Sequence, residues 1–146
     1  MKTSGTIATL LHQKGPVVWS VPPSATVFEA IQLLAQKNIG ALPVMDGAQL
    51  LGMFSERDYT RKVALEGKSS RDTRVREIIS TPVISATLQH TIEDCLRLMV
   101  DKRIRHLPVL EGGKLIGIVS IGDLVNWIIS MQSAALDQME SYIAGR

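Results

Sequence analysis

The sequence holds a single cysteine, Cys95, in 146 residues. One thiol cannot close an internal disulfide, which excludes a cystine-stapled scaffold and sets a reducing, cytoplasmic compartment as the expectation. Aromatics are scarce as well: two Trp, two Tyr and two Phe are too few for a platform that stacks single-stranded nucleic acid. Charge is nearly balanced, with 16 Lys and Arg against 14 Asp and Glu. Without a basic run to follow a phosphate backbone, nucleic acid is not an expected partner. No window approaches the roughly 18 apolar residues of a membrane span, and the apolar part of MKTSGTIATLLHQKG is shorter than a signal peptide needs. No membrane association is expected. The three histidines, His12, His90 and His106, lack the spacing of a metal site. Nucleophile elbow, Walker loop and dinucleotide fingerprint are missing too. No catalytic residue and no metal ligand is therefore assigned, and an enzyme is not expected.

What the chain does have is itself, twice. Sliding the sequence by 65 residues lays TVFEAIQLLAQKNIGALPV, from Thr26, on TIEDCLRLMVDKRIRHLPV, from Thr91, without a gap. It also lays GAQLLGMFSERD, from Gly47, on GGKLIGIVSIGD, from Gly112. Identical pairs include Leu42/Leu107, Pro43/Pro108, Val44/Val109, Gly52/Gly117, Ser55/Ser120 and Asp58/Asp123. Self-similarity at a fixed offset is the mark of an internal duplication.

Each copy predicts the order β-α-β-β-α, an α/β chain of α+β type. A short strand opens it, at Val17–Ser20 and again at Val83–Ser85. A helix follows, with Thr26 and Thr91 as N-caps and Glu29 and Asp94 three residues on, in capping-box spacing. Val27, Ala30, Ile31 and Leu34 recur at helical spacing, as do Ile92, Cys95, Leu96 and Met99; Cys95 thus reads as a small core residue. A hairpin turns at Asp46-Gly47 and at Glu111-Gly112-Gly113. The last helix opens at Ser55 or Ser120. Residues 1–70 form the first predicted segment with an N-terminal helix, 74–130 the second, and 131–146 a helical extension, with a short helix at Val75–Ile79 leading into the second copy. A half of about 60 residues buries little surface by itself. The two repeats are therefore expected to pack as a pseudo-twofold pair with clefts where they meet, a preferred place for small ligands.

The end of each copy is Gly-x-x-Ser-x-x-Asp. Read alone, Ser55 with Asp58, and Ser120 with Asp123, are N-cap and N3 of a helix. That pairing stabilises a helix by about 1 kcal/mol, and an acid in the first turn suits the helix dipole. A second reading comes from family. IGALPV and IRHLPV, the G-x-L-x-G turn-and-strand and the two Gly-x-x-Ser-x-x-Asp ends resemble a tandem pair of cystathionine β-synthase (CBS) domains, the Bateman module, over most of the chain. The resemblance implies a sensor or regulator that binds an adenosine-containing ligand such as AMP, ADP, ATP or NAD. It implies Asp58 and Asp123 on ribose and Ser55 and Ser120 near phosphate. The chemistry is consistent: an ionised Asp is an acceptor for a ribose diol, and a helix start favours an anion. The two roles are compatible.

The same resemblance implies adenine contacts at Thr81, Pro82 and Val83, where copy one has Pro16, Val17 and Val18 and lacks the Thr. That departure predicts fewer polar contacts in the first pocket. Arg57 inside SERD, and Arg105 with His106 before LPV, are candidate phosphate partners, since a guanidinium binds phosphate bidentately. They read equally as solvated surface charges. The tail extends a helix from Ile121 to Tyr142 with Leu124, Ile128, Met131, Ala135 and Met139 as one apolar stripe and Trp127 beside it. Its cover is either the segment Ile7–Leu11 or a partner subunit, and a homodimer is expected. The reading is a nucleotide-binding regulatory module acting on a further protein target; the alternative is a ligand-independent interaction adaptor.

Overall fold

The computed structural model describes residues 5–143. Residues 1–4 and 144–146, the outer ends of the first and third predicted segments, lie outside the described residues. The architecture is mixed α+β with two small antiparallel sheets. Helix α1 (Ile7–Lys14) precedes α2 (Val27–Lys37), the hairpin β1 (Ala41–Asp46) and β2 (Gln49–Ser55), and the short α3 (Glu56–Tyr59). The chain continues from α3 through a wider helical turn at Thr60–Ala64 and one tight turn at Val75–Glu77. The second copy supplies α4 (Ile92–Lys102), β3 (His106–Glu111), β4 (Lys114–Ser120) and the long α5 (Ile121–Ile143).

Local chemistry sets these boundaries. Thr26 accepts from the Glu29 N–H at 3.1 Å, and Thr91 and Asp94 close a reciprocal box, as their spacing predicts. Both helices end on a left-handed residue at equivalent positions, Asn38 and Arg103. The hairpins turn through Gly47 and through Gly112 and Gly113, all at positive φ, the geometry that joins antiparallel strands tightly.

The opening strands differ from expectation. Val17–Ser20 and Val83–Ser85 are not strands. Instead one residue after each pairs in parallel with the hairpin: Val21 with Val44 and Ala86 with Val109. Val21 N–H donates to the Pro43 carbonyl and Met45 N–H to the Val21 carbonyl; Ala86 repeats this with Pro108 and Leu110. In copy one the next N–H toward β1 would come from residue 23, and Pro23 has none, which stops the ladder there.

Two compact units result. One comprises residues 17–85 and 111–116, and its core is Val21, Ala25, Val27, Ala30, Leu34, Leu42, Val44, Phe54, Val63, Val75 and Ile78. Within the described residues the other comprises 5–16, 86–110 and 117–143. Its buried residues include Ile7, Leu10, Ile92, Cys95, Met99, Leu107, Val119 and Leu124. Helix α1 therefore packs with the second repeat although it adjoins the first in sequence. Its start is tied there by Ile7 N–H to the His90 carbonyl at 2.9 Å and Ala8 N–H to the Leu88 carbonyl at 3.1 Å.

Candidate functional site

Each Ser-x-x-Asp sits where a strand runs directly into a helix, β2 into α3 and β4 into α5. Backbone bonds fix both corners alike: Glu56 N–H donates to the Gly40 carbonyl and Ile121 N–H to the Arg105 carbonyl. At the first corner Ser55 N–H and Ser55 Oγ donate to Asp58 Oδ2 at 2.9 and 3.0 Å, and Asp58 N–H returns a bond to Ser55 Oγ. At the second, Ser120 N–H donates to Asp123 Oδ2 at 2.8 Å and Asp123 N–H to Ser120 Oγ at 3.1 Å. Both motifs are closed capping boxes.

Capping does not exhaust the two carboxylates. Asp58 is only 8% exposed, and a buried carboxylate needs donors. Ser80 Oγ donates to its Oδ1 at 3.0 Å, and Lys62 Nζ lies 3.2 Å from the same oxygen while also donating to the Ile78 carbonyl. Asp123 meets an ammonium as well, but from elsewhere: Lys14 Nζ, at the end of α1, is 2.7 Å from Oδ2 and donates to the Ile118 carbonyl. Burial opposes ionisation of Asp123; the bonds from Lys14 and Ser120 outweigh it and hold the carboxyl below its ordinary value of 3.8.

The approach of these partners depends on the motif glycines. A Cβ on Gly52 would stand 3.0 Å from the Ser80 carbonyl oxygen and from Ile79 Cδ1; a Cβ on Gly117 would stand 2.8 Å from Leu11 Cδ2. In both repeats glycine lets the segment that leads into the other repeat lie against the strand. This crossing corrects the sequence reading, which assigned Thr81, Pro82 and Val83 to the pocket of their own repeat. Ser80 brings that segment to Asp58, within residues 17–85, while Lys14, Gly15 and Pro16 belong with Asp123. The segment that carries Thr81 thus adjoins the first corner through Ser80.

The other predicted residues fall as follows. Thr81 and Pro82 are exposed and Val83 is half-buried, next in chain to Ser80. Arg57 is exposed on the first turn of α3 beside Asp58. His106 is half-buried in the field of Asp123: burial, then the charge of Lys14, push its imidazole below 6.5, against the pull of Asp123. Arg105 is exposed next to it. Val17 is 65% exposed and Val18 half-buried. Sequence reasoning missed Ser80 and Lys14. Lys62 stands four residues after Asp58 and was legible as a helical neighbour; Lys14 lies 109 residues from Asp123, and no local pattern announces it. Among the described residues no group of His, Cys, Asp and Glu is placed to hold a metal ion. Among them, too, no helix is long and apolar enough to cross a membrane.

Comparison with known proteins identifies the repeat. The family model described as the CBS domain matches twice, over residues 13–65 and 75–130. The chain is 34% identical to the CBS domain-containing protein CBSX3, mitochondrial, of Arabidopsis thaliana, over 97% of this chain and 73% of that one. A putative signal-transduction protein with CBS domains from Burkholderia ambifaria superposes with a TM-score of 0.83 at 45% identity, over 86% of this chain and 95% of that one. CBSX2, solved in complex with AMP, superposes with a TM-score of 0.74 at 25% identity, over 88% and 99%.

Proposed function

The chain belongs to the CBS-domain family as a tandem pair of repeats, and on that premise we propose that it is a regulatory sensor of an adenosine nucleotide of the AMP, ADP, ATP or NAD class. The observation that carries the reading is the duplicated corner: a serine, a helix start and an aspartate, built the same way in both repeats. The AMP complex of CBSX2 supports the ligand class. Asp58 and Asp123 accept from the ribose diol as acceptor-only carboxylates; at Asp58, where Ser55 holds Oδ2 and Ser80 and Lys62 hold Oδ1, the diol takes the place of Ser80 or Lys62. Ser55 and Ser120 lie toward phosphate, with Arg57 at one corner and Arg105 and His106 at the other. Thr81, Pro82 and Val83 receive adenine beside Asp58. Binding signals to a further protein target by favouring one conformation over another, which requires different affinities for the two. The single buried cysteine accords with a cytoplasmic setting.

Mass spectrometry of the small molecule that co-purifies with the protein tests this directly. An adenosine nucleotide is the expected species. Purification free of any, with no rise in melting temperature when AMP, ATP or NAD is added, would contradict it.

The alternative, a ligand-independent interaction adaptor, draws on α5. Its predicted stripe is covered only in part: Leu124 is buried and Trp127, Ile128, Met131 and Ala135 are half-buried, whereas Met139, assigned to the same stripe, is 59% exposed because it lies beyond the packed part of the helix. A different row is exposed: Val125, Ile129, Leu136, Met139 and Ile143. With exposed Gln132 between Ile129 and Leu136, these follow the alternating three- and four-residue steps of a two-helix seam. The same row suits the homodimer, in which a second copy of α5 covers it, and both functions accommodate that arrangement.

A further inference from the structure

The two corners reach the same electrostatic arrangement by unrelated routes. In repeat one the ammonium on the motif aspartate is Lys62, from the helix that Asp58 itself begins. The position equivalent to Lys62 in repeat two is Trp127, so that helix has no ammonium to offer there. Trp127 instead lies against Gly5, where an added Cβ would come within 2.7 Å of its indole. Lys14, carried in by α1, supplies the missing charge. Each lysine also donates to a backbone carbonyl, Ile78 or Ile118. A side chain of α1 that bonds both to the motif aspartate and to β4, from a helix anchored by buried Ile7 and Leu10, is held in place by more than surface charge attraction.

We propose that Lys14 sets which ligands the Asp123 corner accepts, favouring phosphorylated nucleotides over the neutral nucleoside. This rests on the nucleotide-binding reading above. A ribose diol donating to Asp123 competes with the Lys14 ammonium for one carboxylate. Adenosine gives the ammonium nothing in exchange for the share it loses. A nucleotide does: its phosphate, directed to the start of α5 by the dipole of a 23-residue helix, gives Lys14 a second anion to bond. Lys14 therefore penalises the nucleoside and rewards the phosphate, and α1, which lies outside the repeated sequence, becomes part of the ligand site.

The test is calorimetry with adenosine, AMP and ADP on Asp58→Ala protein, which isolates the second corner, compared with the same protein carrying Lys14→Met, Lys14→Arg or Asp123→Ala. Circular dichroism melts run alongside exclude a folding defect. Lys14→Met is expected to bind adenosine more tightly and AMP more weakly, so that the preference for AMP falls by roughly three- to tenfold. Lys14→Arg is expected to keep it. An unchanged preference in folded Lys14→Met protein, with binding lost in Asp123→Ala, would overturn the role of Lys14 and leave the nucleotide site intact. Undiminished binding in Asp123→Ala would overturn both.

Discussion

At the scale of single residues, each motif aspartate closes a capping box and also meets an ammonium. Ser55 and Asp58, and Ser120 and Asp123, were legible in the sequence because a cap and its N3 partner are three residues apart, and local hydrogen bonding decides their geometry. Ser80 and Lys14 were not, because only tertiary packing brings them to the carboxylates. Cys95, read as a small core residue, is 1% exposed, and burial raises its thiol to about 11, so it is chemically quiet. His106 reports the charge around Asp123. Its folded pKa lies below the unfolded value, so its protonation favours the unfolded chain; the stability it contributes is full above about 6.5 and declines as pH falls through the folded pKa. Removing the Lys14 charge takes away repulsion and leaves Asp123 to attract a proton. Lys14→Met is therefore expected to move the His106 pKa upward, followed by NMR titration of the three histidines. No movement would mean that the ammonium does not stand at the second corner.

At the scale of elements, α2, α4 and both hairpins followed from periodicity, Thr caps and Gly turns. The opening strands did not, because β-propensity at Val17–Ser20 and Val83–Ser85 says nothing about which residue finds a partner, and only Val21 and Ala86 do. The motif glycines show what the repeat leaves implicit. Sequence gives Gly52 and Gly117 the same place in the repeat; structure gives them different neighbours. Gly52 faces the fixed carbonyl of Ser80, whereas Gly117 faces the flexible end of Leu11. Gly52→Ala is expected to cost about 1–3 kcal/mol by overpacking, and Gly117→Ala clearly less, since Leu11 can change rotamer. Urea denaturation of the two variants measures this. Equal losses would contradict the close approach of the Ser80 backbone to β2. For α5, glutamate at both Leu136 and Met139 places charge on the exposed row without touching the covered one. The variant is expected to sediment as monomer with an unchanged circular dichroism spectrum. A dimer that survives both substitutions puts the contact on another face.

At the scale of the molecule, a duplicated chain has produced two units that are alike in motif and unlike in make-up. The repeat was legible because a 65-residue offset aligns it without gaps. The exchange of partners was not, because it depends on the linker after α3 returning to β2 and on α1 joining the second repeat. This exchange makes each corner a composite of a repeat end and the segment entering the other repeat. The central claim is that these two corners bind one class of ligand through Asp58 and Asp123. Isothermal calorimetry of AMP against the wild-type protein and against the folded Asp58→Ala, Asp123→Ala double variant tests it most directly. Binding to the wild type that vanishes in the double variant is the expected result. Equal affinity in both proteins would contradict it.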